Sequence, residues 1–136
     1  GEDLTFWTDS FVGSLVTRGF RVVAIDNRDA GQSTFVATPP PALWRQIAAR
    51  PRGDAYALAD MAQDAVGVLD HLGIARAHLV GRSMGGMIAQ TIAATAPERV
   101  LSLASLYSTT GARKVGQPAL STIRLLAAPP ARTRTA

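Results

Sequence analysis

The segment Gly81–Gly86, with the sequence G-R-S-M-G-G, contains the residues whose types and spacing best suit chemistry. It is a G-x-S-x-G pattern between the apolar run Ala77–Val80 and the helical pattern Met84–Thr95. On such a strand-to-helix turn a serine is held in strained geometry with its hydroxyl above the sheet, and a Cβ on the flanking glycines would collide with the neighbouring strand or helix. The following helix points free N–H groups at the place where an oxyanion could form. The pattern therefore predicts that Ser83 is a nucleophile.

A plainer interpretation of this segment is a glycine-rich turn in which Ser83 only caps the following helix. Two features favour the nucleophile instead. The turn lies at a strand–helix boundary, and Gly86 adds a third small residue where the helix approaches the sheet. The glycine spacing does not fit G-x-G-x-x-G, and no G-x-x-x-x-G-K-[ST] is present, so neither phosphate-binding loop is indicated.

The rest of the chain alternates between helical and strand patterns. The predicted elements are a helix with N-cap Asp9 that ends at Gly19, a buried strand Phe20–Ile25, a short helix Leu43–Ala49, a helix Tyr56–Leu72, a strand Ala77–Val80, a helix Met84–Thr95, a strand Val100–Tyr107 and a helix Ala119–Ala127. This alternation predicts an α/β fold with a parallel sheet and helices on both faces. In such sheets the chemistry lies at the carboxyl ends of the strands, where Ser83 is placed.

Composition excludes several classes of site. The 136 residues include no cysteine, which excludes disulfides, thiolate metal sites and a cysteine nucleophile. His71 and His78 have no metal-ligand spacing, so we expect neither a metal nor another cofactor. Apolar runs are far shorter than the ~20 residues that cross a bilayer, and no signal-peptide pattern opens the chain. We therefore expect a cytoplasmic protein without membrane contact.

The basic residues do not form a nucleic-acid surface. The net charge is +4, and Lys114 is the one lysine among 14 basic residues. The arginines are scattered without interleaved aromatic residues, and only the tail Arg113–Arg134 is locally basic. Nucleic-acid binding is a weak alternative.

With these motifs in place, the chain resembles the α/β-hydrolase family over nearly its whole length. The turn Asp26–Ser33, D-N-R-D-A-G-Q-S, is similar to the family's Asp-x-Arg-x-x-Gly-x-Ser turn after its fourth strand. Together with the segment Ser108–Gly111, S-T-T-G, it is most similar to bacterial esterases of the aclacinomycin methylesterase type. The resemblance implies that Ser83 is the nucleophile, that the backbone N–H of Met84 is an oxyanion donor, and that the partner is a small ester-like substrate.

The resemblance also implies a protein of roughly twice this length. Residues 1–110 would form a partial hydrolase core that lacks the first three strands, and residues 111–136 would begin a helical cap over the pocket. The family's fourth and fifth strands, here Phe20–Ile25 and Ala77–Val80, would then lack the third strand between them. The triad acid and histidine would lie beyond residue 136, so this segment alone is expected to be inactive.

The histidines and acidic residues within the chain do not replace the missing triad partners. His78 precedes Ser83 by five residues on one strand, which places it roughly 16 Å away, whereas a general base must come within about 3 Å. His71 ends the preceding helix at the same distant edge, so both imidazoles are expected to be structural or solvated. Asp26, Arg28 and Asp29 follow a strand and could reach the pocket, but a salt-bridged turn that holds the loop is the favoured interpretation.

These observations predict a serine hydrolase that acts on a carboxylic ester or a related acyl substrate. One alternative is a non-catalytic hydrolase-fold protein that binds a ligand and keeps the serine turn only as architecture. Within the enzymes, the same motifs serve C–C hydrolases, cofactor-free haloperoxidases and lactonases, which the cap and pocket would distinguish. Neither the substrate nor the oligomeric state can be read from the residues.

Overall fold

The order of helices and strands agrees with an α/β fold. A computed structural model describes residues 6–36, 55–110, 116, 119, 121, 122 and 124. In chain order the elements are α1 (Asp9–Val16), α2 (Leu58–His71), β1 (Ala77–Arg82), α3 (Met84–Thr95), a 3-10 turn (Pro97–Arg99) and β2 (Val100–Leu106). The predicted helix Leu43–Ala49 lies outside the described residues, and Ala119–Ala127 falls on a stretch described only at isolated positions.

The first helix begins with a different cap from the one predicted. Thr8, not Asp9, is the N-cap, because its hydroxyl accepts a hydrogen bond from the backbone N–H of Phe11 at 3.3 Å. Asp9 lies in the first turn, where its negative charge stabilises the positive end of the helix dipole. The prediction of Asp9 as the cap was wrong, since two consecutive residues were able to cap and only one could occupy the position.

The strands β1 and β2 pair in parallel, as predicted, and α3 connects them. Their register places Gly81 beside Ser105 and Arg82 beside Leu106. Since side chains alternate along a strand, Gly81 and Ser105 share the face toward α3, and Arg82 and Leu106 share the opposite face. The parallel α/β arrangement is therefore confirmed, and both strands end at the same edge of the sheet.

The hydrophobic core of the described residues lies between the two long helices and one face of the sheet. Met61 and Ala62 of α2 pack against Ile88 and Ile92 of α3, and all four are at least 96% buried. Partly buried side chains surround this cluster: Leu58, Ala65, Val66, Leu79 and Val100. Each helix contributes positions three and four apart, which is the spacing that puts side chains on one helical face. In the described part of the chain, no helix is long and apolar enough to cross a membrane.

The segment Phe20–Ile25 differs from its prediction. Its apolar, β-branched sequence predicts a strand, yet it has no strand hydrogen bonding in the described structure, where β1 pairs only with β2. A strand exists only when a neighbour accepts and donates its backbone hydrogen bonds, and the described residues offer this segment none. It remains near the sheet through Phe20, whose ring meets the imidazole of His78 edge-on at 5.6 Å between centroids.

The turn that follows this segment is fixed to α2 by an ion pair. The guanidinium of Arg28 donates two hydrogen bonds to the carboxylate of Asp64, at 2.6 and 2.7 Å. It also lies over the ring of Tyr56, 5.2 Å from the centroid. Hydrogen bonds from Arg28 lower the pKa of Asp64, and the positive charge acts in the same direction. This planar bidentate contact connects residues 36 positions apart.

We predict that this ion pair makes stability depend on pH. The pKa of Asp64 is lowered in the folded state, so the pair stabilises the fold above the unfolded pKa of about 3.9 and loses its effect as the pH falls through the folded value. Asp64→Asn should therefore lower the urea midpoint of the full-length protein slightly at pH 7, because both side chains are partly exposed.

The difference between Asp64→Asn and wild type should shrink in the same urea melts as the pH falls below the unfolded pKa of about 3.9 toward the lowered folded value. Glu98→Gln removes a carboxylate from the 3-10 turn and controls for the loss of one negative charge. An equal loss of stability in Asp64→Asn and Glu98→Gln at pH 7 would contradict the assignment.

Candidate active site

The turn at Ser83 has the strained geometry that the G-x-S-x-G pattern predicts. β1 ends at Arg82, α3 begins at Met84, and Ser83 between them has φ 52° and ψ −121°. A non-glycine residue in such a region costs about 1–3 kcal/mol and persists only where the surrounding structure enforces it. Ser83 is exposed and its side chain makes no capping hydrogen bond. The plainer interpretation of Ser83 as a helix cap is therefore not supported.

Two of the three glycines around the turn are required by close approach. A Cβ on Gly81 would collide with the backbone of Gly85 and Gly86, and a Cβ on Gly86 would lie 2.6 Å from the side chain of Ser108. Both positions thus let the start of α3 contact the ends of β1 and β2. Gly85 differs from the prediction, because a Cβ there would meet no described atom within 4 Å.

The main chain of Ser83 is held from both strands and from the helix. Its N–H donates to the carbonyl of Leu106 at 2.9 Å, which extends the ladder between β1 and β2 by one residue. Its carbonyl accepts the N–H of Gly86 at 3.0 Å and of Met87 at 3.3 Å. The same carbonyl accepts the hydroxyl of Ser108 at 2.7 Å. Sequence reasoning missed this contact, since Ser108 is 25 residues away and no local pattern indicates it.

Met84 is the first residue of α3 and directly follows Ser83. An N–H at this position has no intrahelical acceptor, and the helix dipole places partial positive charge there. The arrangement is suited to stabilising a negatively charged oxygen above Ser83.

An aromatic cluster lies beside the turn on the face of β1 opposite α3. The guanidinium of Arg82 lies over the ring of Phe6, 3.8 Å from its centroid. Phe6 meets Trp7 edge-on, and Trp7 stacks on Phe11 of α1 with 5.1 Å between centroids. Cation–π contacts of this kind contribute on the order of 0.5–2 kcal/mol. The residue before the nucleophile candidate therefore attaches the start of α1 to the sheet, which sequence reasoning also missed.

The structure places both histidines of the chain away from Ser83. His78 lies on β1 near its first residue, and its Nδ1 is 2.7 Å from the hydroxyl of Ser102 on β2. His71 is the last residue of α2 and is exposed. Because β1 extends about 3.3 Å per residue, His78 lies roughly 16 Å along the strand from Ser83. Neither imidazole is positioned as its general base.

The acidic residues of the Asp26–Ser33 turn hold the loop. The Asp26 carboxylate accepts the N–H of Gln32 at 3.0 Å, and that of Asp29 accepts the N–H of Val36 at 2.6 Å. Asp29 also hydrogen-bonds the hydroxyl of Tyr56, and this contact, with burial, raises the pKa of that phenol. The favoured interpretation of a structural turn agrees with these contacts, although the salt-bridge partner of Arg28 is Asp64 of α2. No group of three or more potential metal ligands occurs among the residues that the structure describes.

Comparisons with known proteins identify the fold independently of this geometry. Residues 2–124 match the profile of the alpha/beta hydrolase fold family. The putative carbamate hydrolase RutD of Variovorax paradoxus is 39% identical over 104 residues, which are 76% of this chain and 33% of that protein. The rhodomycin D methylesterase DnrP of Streptomyces peucetius is 38% identical over 97 residues, which are 71% of this chain and 28% of that protein.

A solved structure shows the same fold. The crystal structure of a hydrolase from Pseudomonas aeruginosa PA01 superposes with a TM-score of 0.54 at 33% identity, over 72% of this chain and 30% of that one. The chain spans at most a third of the length of each of these relatives.

We predict that the glycines of the turn differ sharply in their tolerance of a methyl group. Gly81→Ala should destabilise the full-length protein by at least about 1–3 kcal/mol, because the new Cβ must displace helix backbone. Gly85→Ala provides the matched control within the same motif. It should change stability by less than about 1 kcal/mol, since alanine favours a helix and its Cβ would meet no side chain among the described residues within 4 Å. Urea melts measure both, and equal losses would contradict the packing described for Gly81.

Proposed function

Because the chain belongs to the α/β-hydrolase fold family, we propose that it is part of a serine hydrolase that cleaves carboxylic esters or related acyl groups through Ser83. The observation that carries this proposal is the exposed, strained serine at the carboxyl end of β1, directly before the N-terminus of α3. Strain of about 1–3 kcal/mol at a surface serine is typical of a functional site. We propose further that residues 111–136 begin the cap over the pocket and that 1–110 form part of the core.

The proposed reaction proceeds through an acyl-enzyme. The Ser83 hydroxyl attacks the substrate carbonyl while a histidine accepts its proton, and the resulting oxyanion is stabilised by the N–H of Met84. The C–O bond to the leaving alcohol then breaks, and the alcohol receives the proton from the histidine. Water attacks the acyl-enzyme in the same manner, which releases the carboxylic acid and restores Ser83. The histidine, its orienting acid and a second oxyanion donor are proposed to come from outside this chain.

The class of substrate is supported by what two of the relatives are named for. A methylesterase and a putative carbamate hydrolase both take substrates in which a carbonyl carbon bears a heteroatom leaving group. The two names share this chemistry and differ in the group attached, so the proposal is limited to esters and related acyl compounds. A ligand-binding protein that keeps the serine turn only as architecture is the alternative, and it would leave Ser83 unreactive toward a serine-directed probe.

We predict that Ser83 is the residue that reacts with a serine-directed fluorophosphonate probe. In the full-length protein, mass spectrometry should locate the adduct on Ser83. Ser83→Ala should lose the label and reduce esterase kcat on the order of a thousandfold or more, since loss of the nucleophile removes the covalent route. Ser10→Ala removes an exposed serine of α1 and should leave both unchanged. Labelling of another serine, or full activity in Ser83→Ala, would refute the assignment.

We also predict that short activated esters are hydrolysed without a metal or cofactor. p-Nitrophenyl acetate and butyrate are suitable substrates, because their good leaving group makes attack by the nucleophile the main barrier. The rate should be the same before and after dialysis against EDTA. Activity that disappears with the chelator and returns with a divalent cation would instead indicate a metalloenzyme.

A further inference from the structure

Two strained turns lie side by side at the carboxyl edge of the sheet. Ser83 follows β1 with φ 52°, and Tyr107 follows β2 with φ 49°. Since Arg82 pairs with Leu106, these two turns are at the same level in neighbouring strands. A positive φ is a true outlier for a bulky aromatic residue. The side chain of Tyr107 does not explain it within the described structure, because that side chain is 90% exposed.

The strain at Tyr107 has a consequence for the next residue. The chain turns there so that the hydroxyl of Ser108 donates to the carbonyl of Ser83 at 2.7 Å. The N–H of Ser83 donates to the carbonyl of Leu106 at 2.9 Å. Both the N–H and the carbonyl of Ser83 are therefore hydrogen-bonded to residues at the end of β2. Ser108 is partly buried against Gly86, since a Cβ on that glycine would lie 2.6 Å from the Ser108 side chain.

A second contact holds the segment around Ser108 against α3. The amide of Gln90 donates to the hydroxyl of Ser105 at 2.9 Å and to the carbonyl of Thr109 at 3.3 Å. These two acceptors flank Ser108 in sequence, so α3 fixes the chain on each side of it. The hydroxyl of Ser108 is thus part of a fixed structure.

We propose that Ser108 is a positioning residue that holds the main chain of Ser83 in its strained, reactive conformation. This inference rests on the proposed function of Ser83 as nucleophile. The hydrogen bond between Ser108 and Ser83 does not depend on that function. The carbonyl of Ser83 keeps two helix N–H donors when the hydroxyl is removed, so the fold should survive. The variant loses the hydrogen bond that restrains the Ser83 turn from the side of β2. Attack by Ser83 should therefore become slower, while substrate binding changes little.

The test compares Ser108→Ala and Ser108→Cys in the full-length protein. A thiol is somewhat larger than the hydroxyl and is a weak hydrogen-bond donor, so both variants lose the restraint. Each should lower kcat and the rate of fluorophosphonate labelling at Ser83 by about tenfold, with KM changed less than about twofold, as expected for one hydrogen bond. Ser14→Ala is the matched control, because it removes a serine hydroxyl that donates to the carbonyl of Phe11 at 2.8 Å within α1.

A second measurement does not depend on catalysis. Hydrogen exchange at the amide of Ser83, followed by NMR, should be at least about threefold faster in Ser108→Ala than in Ser14→Ala, because the turn opens more often. Faster exchange in Ser108→Ala, combined with a wild-type protein that reacts with no probe or ester, would refute the hydrolase proposal and leave the restraint in place. Unchanged exchange, labelling at the wild-type rate in Ser108→Ala, or full recovery in Ser108→Cys would overturn the positioning role.

Discussion

The close approach of α3 to the ends of two parallel strands is the constraint on which this structure depends. Gly81 and Gly86 permit it, because a Cβ at either position would overlap backbone or the side chain of Ser108. The approach leaves one residue, Ser83, to reverse the direction of the chain between strand and helix, which is why its φ is positive. Because this turn consists of one residue, the Ser83 hydroxyl is exposed and lies directly beside the N-terminus of α3.

The same constraint separates the face of the sheet that packs against the helices from the edge that carries Ser83. Burial among the described residues is concentrated where α2 and α3 meet the sheet, around Met61, Ala62, Ile88 and Ile92. Hydrophobic contacts there hold α3 by its middle turns. The first turn of α3 contributes little to the core, so the strained conformation of Ser83 beside it is compensated by the stability of the packed middle turns.

Sequence predicted the parts of this arrangement that are encoded locally. The bounds of α3 were predicted to the residue, and the strand–turn–helix at Ser83 followed from glycine spacing within six positions. Features that depend on distant partners were not found. The ion pair of Arg28 with Asp64 and the hydrogen bond from Ser108 span 36 and 25 positions. The strand predicted for Phe20–Ile25 has no neighbour among the described residues, and only the family resemblance, not the local pattern, implied that it would lack one. Composition and periodicity carry no information about which distant residue will meet a given side chain.

This division between local and distant determinants also explains how the proposed chemistry is distributed along the chain. A strained serine and a helix N-terminus can be built from a dozen consecutive residues, because backbone geometry alone creates them. A general base must instead be brought within about 3 Å of the hydroxyl by the tertiary fold. His71 and His78 are both fixed at the other end of α2 and β1. Residues 81–86 therefore define where attack would occur in the proposed reaction, and neither imidazole is placed to assist it.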